Sequence, residues 1–223
     1  MLVLTRLLTM VLVAMVSAAS LAPAESGEEV MLHEAAADGD VERTRQLLAS
    51  GAAVDMRDGA RRTPLLIAVQ ADQAEVARLL IEAGADVNAK DAIEDTPFLY
   101  AGAEGRNGIL RHILATGKAD LKDTNRYGGV ALIPAAHHGH PETVRILLET
   151  AIDIDHVNDL GWTALLEAVI LGDGGPVYQE IVRLLIDAGA KPIADRGGRT
   201  PLDHARSLGF GEIAAILEGQ GRG

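Results

Sequence analysis

The chain has 223 residues, a hydrophobic fraction of 48% and a formal net charge of −12. With one Trp, three Tyr and two Phe, it lacks the cationic footprint and the aromatic stacking surface of a nucleic-acid binder, and an anionic membrane surface would repel it. It has no cysteine, which excludes disulfides, thiolate metal sites and a lipid-bearing cysteine, so its stability must come from packing.

Residues 1–24 stand apart from the rest. Arg6 precedes an uncharged run from Leu7 to Val16, and Ser-Ala-Ala-Ser-Leu-Ala-Pro-Ala follows, which is the layout of a secretory signal. Ala22 and Ala24 give a small-x-small pattern and an expected cut after Ala24, with a cut after Ala19 as the alternative. Leu2 to Ala22 could also just cross a bilayer as an uncleaved anchor if Arg6 snorkelled, which would make the protein a membrane-tethered scaffold. A cleaved, periplasmic or secreted chain, free of the membrane, is the expectation.

The remainder falls into repeated units. Residues 28–57 read as a helix pair beginning at Leu32 and Val41, with Glu34, Asp38, Glu42, Arg43 and Arg45 bringing polarity to a face that no earlier unit covers. Residues 58–90 hold the clearest copy. Thr63 offers an oxygen to the first free N–H groups of a helix, and Pro64 follows where a missing N–H does no harm. Leu65 to Val69 leave almost no polar face, so neighbours must cover this helix on most sides. Ala71-Asp72-Gln73 breaks it. Glu75 opens a second helix with Val76, Leu79, Leu80 and Ala83 at helical spacing, Gly84 stops it, and Ala-Asp-Val-Asn leads away extended.

Residues 91–124 repeat this with Thr96-Pro97 and Gly117, each 33 positions on, plus Lys118 as an extra residue. In 125–157 the signals fail together. Val130-Ala131 replaces Thr-Pro, Pro134 lies one turn inside the expected helix, and Ala151 stands where the other units have glycine. That helix either starts late or gives up a backbone bond, and the fourth unit is expected to be the weakest. Residues 158–194 resume with Thr163-Ala164 and Gly189 but carry an insertion within Gly172 to Tyr178. Residues 195–218 restart at Thr200-Pro201, with Asp203, His204 and Arg206 at formerly apolar positions, and 219–223 read as a flexible tail.

A period of 33 with a turn and two helices, carrying T-P-L and G-A-D-V-N, resembles the ankyrin repeat over about residues 28–218. The resemblance implies an all-α solenoid of about six helix-turn-helix units with extended β-turn fingers, forming one domain over 25–218. It also implies a non-catalytic, monomeric module that binds a partner protein on its concave side. An exported ankyrin protein without cysteine is similar to periplasmic ankyrin proteins of Gram-negative bacteria, some of them associated with catalase and oxidative-stress defence. The histidine of T-P-L-H is replaced by Leu66, Leu99, Ile133, Leu166 and Asp203, with only His33 keeping it, so poorer hydrogen bonding between loops is expected.

No serine elbow, phosphate-binding glycine loop or cofactor motif is present. His137-His138-Gly139-His140 could in principle hold zinc or copper and serve a metal-binding hydrolase. Against that, His140 matches the Gly-His that the family carries before its second helix, and neighbours on a helix point about 100° apart. Tyr127 and Trp162 fall near finger tips, where the family presents partner-contacting side chains. With them on the concave side, by family geometry, go Ile93, Arg126, His137, His138, Leu160, Ile170 and Leu171. Ile170 and Leu171 could instead pack under the insertion. Arg61, Arg62, Arg126, Arg196 and Arg199 also gather at finger positions.

Overall fold

The computed structural model describes residues 27–219; the expected signal segment and the last four residues of the tail lie outside them. Among the described residues there are twelve helices and no strand. They form six pairs: α1 Gly27–Asp38 with α2 Val41–Ala49, α3 Pro64–Gln70 with α4 Ala74–Glu82, and α5 Pro97–Ala103 with α6 Asn107–Ala115. α7 Leu132–His137 with α8 Pro141–Leu148, α9 Ala164–Ile170 with α10 Pro176–Asp187, and α11 Pro201–Leu208 with α12 Gly211–Gly219 complete the array. The all-α solenoid expected from the repeat is the architecture observed. α1 begins at Gly27, five residues ahead of Leu32, and α12 runs through Gly219, the first residue of the expected tail.

Odd-numbered helices pack on odd-numbered neighbours and even on even, which makes two rows. The odd row is pressed between the even row and its own neighbours. Every residue from Pro64 to Val69 in α3, and from Ala164 to Val169 in α9, is accordingly buried. Phe98, Leu132 and Leu165, from three successive units, belong to one buried cluster that continues along the array. Packing between α5 and α7 is so close that a Cβ added to Gly102 would lie 3.1 Å from the Ala131 Cβ.

Thr63, Thr96 and Thr163 start their helices as read: their hydroxyls accept from the N–H groups of Leu66, Leu99 and Leu166 at 3.0–3.2 Å. The fourth unit differs. α7 has no side-chain cap, and the Ile133 N–H bonds the Val130 carbonyl at 2.9 Å instead. Pro134 becomes the third helical residue, where the N–H has no intrahelical partner anyway, so no bond is given up. Ala151 avoids the left-handed conformation that Gly51, Gly84, Gly117 and Gly189 adopt. Thr150 takes over the stop, its hydroxyl donating to the Leu147 carbonyl at 2.6 Å and accepting from the Ile152 N–H at 3.2 Å.

Hydrogen bonding between loops is richer than the missing histidines suggested, because loop side chains supply it. The His33 ring stands 3.0 and 3.2 Å from the Met56 and Arg62 carbonyls. Farther along, Asp55 accepts from the Asp86 N–H, Asn88 from Asp120 and Asp155 from Lys191, at 2.8–2.9 Å. The His156 ring adds a 2.7 Å contact to the Gly128 carbonyl.

Candidate protein-binding groove

Five turns stand in front of the odd row, at residues 58–62, 91–95, 125–129, 158–162 and 195–199. Each opens with Asp58, Asp91, Asn125, Asn158 or Asp195, whose Oδ1 accepts the N–H groups two and four residues on at 2.8–3.0 Å. The same residue's N–H donates to the carbonyl four residues on at 2.9–3.0 Å, and the loop is shut. The fourth residue is left-handed every time: Arg61, Glu94, Gly128, Gly161 and Gly198, with φ from 62° to 84°. Adjacent fingers are joined where Ala92 donates to the Ala60 carbonyl and Asp159 to that of Tyr127.

Between the middle three fingers and α5, α7 and α9 lies a cavity of about 530 Å³. Its finger side is lined by Ile93, Asp95, Arg126, Tyr127 and Leu160, and its helix side by Tyr100, Glu104, Pro134, His137, His138, Glu167 and Leu171. Ile93, Tyr127, Leu160 and Leu171 are 50%, 54%, 50% and 41% exposed. Large apolar groups left open around a concavity are what a binding face offers. The Arg126 guanidinium lies over the Tyr127 ring, 4.9 Å from its centroid.

Glu167 forms the polar end. It sits on α9 with only 5% of its surface exposed, and burial pushes its carboxyl up to about 7, against the opposing effects of the Asn158 hydrogen bond and His138. Asn158 Nδ2 donates to its Oε1 at 2.8 Å, while Oε2 lies 3.6 Å from His137 Nδ1, beyond hydrogen-bond reach. Burial, and then the neighbouring His138, hold His137 below its ordinary range. Asp95 is raised by burial and by Asp91. Tyr178 reaches over from the insertion and donates its hydroxyl to the His137 carbonyl at 2.8 Å, fixing the end of α7.

The groove brings together seven of the residues read from the sequence: Ile93, Arg126, Tyr127, His137, His138, Leu160 and Leu171. Trp162 and Ile170 are half-buried and lie outside its lining. Leu171 is not covered by the insertion, which instead lengthens α10 at its start and sets Gly174 against Phe210. The three histidines come nearer to one another than helix spacing suggested, with ring centroids 4.8 Å apart for His137 and His138 and 6.2 Å for His138 and His140. Each has its own neighbour, however: Glu167 for His137, the Ala103 carbonyl at 2.8 Å for His138, and Gly105 for His140. Of the basic finger residues, Arg62 on Asp58 and Arg196 on the Asp159 carbonyl serve the turns, and Arg199 bonds the Asp203 carbonyl in α11. Tyr100, Glu104, Asn158 and Glu167 were missed. The available signal was register: Tyr100, Pro134 and Glu167 each stand four residues after Thr96, Val130 and Thr163.

A family model described as ankyrin repeats matches the chain in three overlapping copies, over residues 15–91, 32–125 and 98–193. The putative ankyrin repeat protein YahD of Escherichia coli K12 is 47% identical over 110 residues, 48% of this chain and 55% of YahD; the match thus spans about half of that relative's length. An ankyrin repeat domain from Acinetobacter baumannii AYE superposes with a TM-score of 0.82 at 54% identity, over 85% of this chain and 97% of that one. The ankyrin repeat protein EF0377 gives 0.82 at 46% identity with the same coverage. With repeats, paired helices and fingers all in register, the chain belongs to the ankyrin repeat family, whose repeats are a generic protein-protein interaction module.

Proposed function

We propose that the chain is a non-catalytic module that grips one partner protein in the groove between the middle fingers and α5, α7 and α9. The observation that carries this reading is the ring of Ile93, Tyr127, Leu160 and Leu171, four open apolar side chains around one cavity. The expected test result is that Tyr127→Ala with Leu160→Ala weakens crosslinked partner capture about tenfold or more while helix content is unchanged. Trp162→Ala, off the cavity, should weaken it less. Equal capture by the double variant and the parent would move the partner to another face.

The site of action is outside the cytoplasm, on the strength of Arg6, the uncharged run and the small residues that follow. A mature amino terminus between Ser20 and Glu25 in fractionated cells supports export, and an intact Met1 rejects it. A link to catalase and oxidative-stress defence rests on family resemblance alone. Catalase recovered by the parent and lost from the Tyr127/Leu160 double variant would support it.

A further inference from the structure

The ionisable groups of the groove are unbalanced. Its lining holds three carboxyls, Asp95, Glu104 and Glu167, against two imidazoles, His137 and His138, and the single permanent cation of Arg126, which is already laid on the Tyr127 ring. Glu167 is the informative member because it is more than nine-tenths buried and still lines the cavity. One of its oxygens is held by Asn158, and among the described residues the other has no hydrogen bond within reach, the His137 ring at 3.6 Å being its nearest basic group and His138 acting on it only through space. His137 does not supply a cation, since burial favours its neutral form. A buried carboxylate without a counter-charge is costly, and a cation delivered to it gains what water no longer provides.

Resting on the groove reading above, we infer that the occupant is a partner-protein segment presenting one Arg or Lys side chain, its cation seated on Glu167 Oε2 and its flanking apolar residues on Tyr127, Leu160 and Leu171. A long basic side chain suits the site because its stem is apolar and only its tip is charged. A segment rather than a free amine is required by the rim. Ile93, Tyr127 and Leu160 belong to three successive fingers and stay about half exposed, a width that a single small cation would leave uncovered. Asn158 acts as a positioning residue: its Oδ1 shuts the finger through the N–H groups of Leu160 and Trp162 while its amide holds Glu167 Oε1. The carboxylate is thereby fixed relative to the Leu160 tip.

The test uses the full chain and a library of short peptides whose central residue is Arg, Lys, citrulline, Leu or Glu and whose flanks are randomised. Arg and Lys peptides should dominate the retained pool, and replacing the central Arg by citrulline, its neutral isostere, should weaken binding about tenfold or more. Glu167→Gln should erase that discrimination by bringing the affinity for the Arg peptide down to that for its citrulline counterpart. If Glu167→Gln fails to fold, the Arg and citrulline pair on the unmodified protein still decides. Peptides that lose binding on Leu160→Asp but do not prefer Arg over citrulline would overturn the cation and leave the groove. Peptides indifferent to Leu160→Asp would overturn both. Arginine amide bound as tightly as the peptides would overturn the segment as occupant.

Discussion

Helices α3 and α9 are nearly the same object. PLLIAVQ and ALLEAVI have equal length, equal 3.2 Å threonine caps and equal burial along the odd row. Within the buried stretch they differ in polarity at one place, where Ile67 in the second unit, 8% exposed, corresponds to Glu167 in the fifth, 5% exposed, while Gln70 stands against Ile170 at the half-buried last position. The finger in front differs in step, opening with Asp58 in one and Asn158 in the other. Both Asp and Asn close the turn, but only Asn has an amide left over to receive a carboxylate. Local signals that build the helix are therefore blind to what the helix is for, and the site depends on a pair of positions changed together.

The largest effect should come from forcing the second unit to imitate the fifth. Ile67→Glu would bury a carboxylate beside Asp58, which has no donor to offer and already holds Arg62 at 2.7 Å. The expected cost is about 3–5 kcal/mol near neutral pH, read by urea unfolding. A loss below about 1 kcal/mol would mean that the second unit opens to water easily, and the contrast with α9 would collapse.

The reverse change should stabilise, with a pH signature. Glu167 sits at about 7 in the folded protein against an ordinary 4.5. Between those values the folded chain keeps a proton that the unfolded chain has released, so this group lowers stability progressively as pH rises from about 4.5 to about 7. Glu167→Gln should therefore gain about 1–3 kcal/mol at about pH 8 and almost nothing at about pH 4. A gain that is constant with pH would assign the effect to packing rather than to charge.

A smaller effect sharpens the likeness. Thr63→Ala and Thr163→Ala should each cost about 1 kcal/mol, because both hydroxyls accept one N–H in the same geometry. Costs differing by more than about 0.5 kcal/mol would show that the α9 cap is coupled to the groove it supports.

What could be read in advance was whatever the chain states locally. Thr63-Pro64 and Thr96-Pro97 announce helix starts by their own chemistry, and Gly84 announces a stop. Tyr127 was found because finger tips recur at fixed positions and Leu160 by family geometry, whereas Trp162, also read as near a tip, lies at the closing end of its turn. Glu167 was passed over because its meaning comes from Asn158, His137 and the cavity, which lie in other turns and other units. At Pro134 the sequence left two alternatives, a late start or a lost bond, and at Ala151 it left open how the helix stops. The late start is the alternative the chain takes, and Thr150 supplies the stop, a neighbour that the comparison with the ideal repeat did not weigh. The role of the insertion was not legible locally either, and only the fold shows that Tyr178 braces the groove through the His137 carbonyl.

Each finger is closed by the Oδ1 of an Asp or Asn, which accepts only main-chain N–H groups, and every residue except proline provides one. The tip residue closes its turn with its N–H alone, and its side chain takes no part. Ala60, Ile93, Tyr127, Leu160 and Gly197 are five different occupants of one frame. Descendants of this chain can thus exchange recognition one tip at a time without renegotiating the fold, while a lineage that loses the opening Asp or Asn loses the finger with it. Heritable variation should collect at the tips and halt at positions 58, 91, 125, 158 and 195, so that a new specificity is never more than a few neutral steps away.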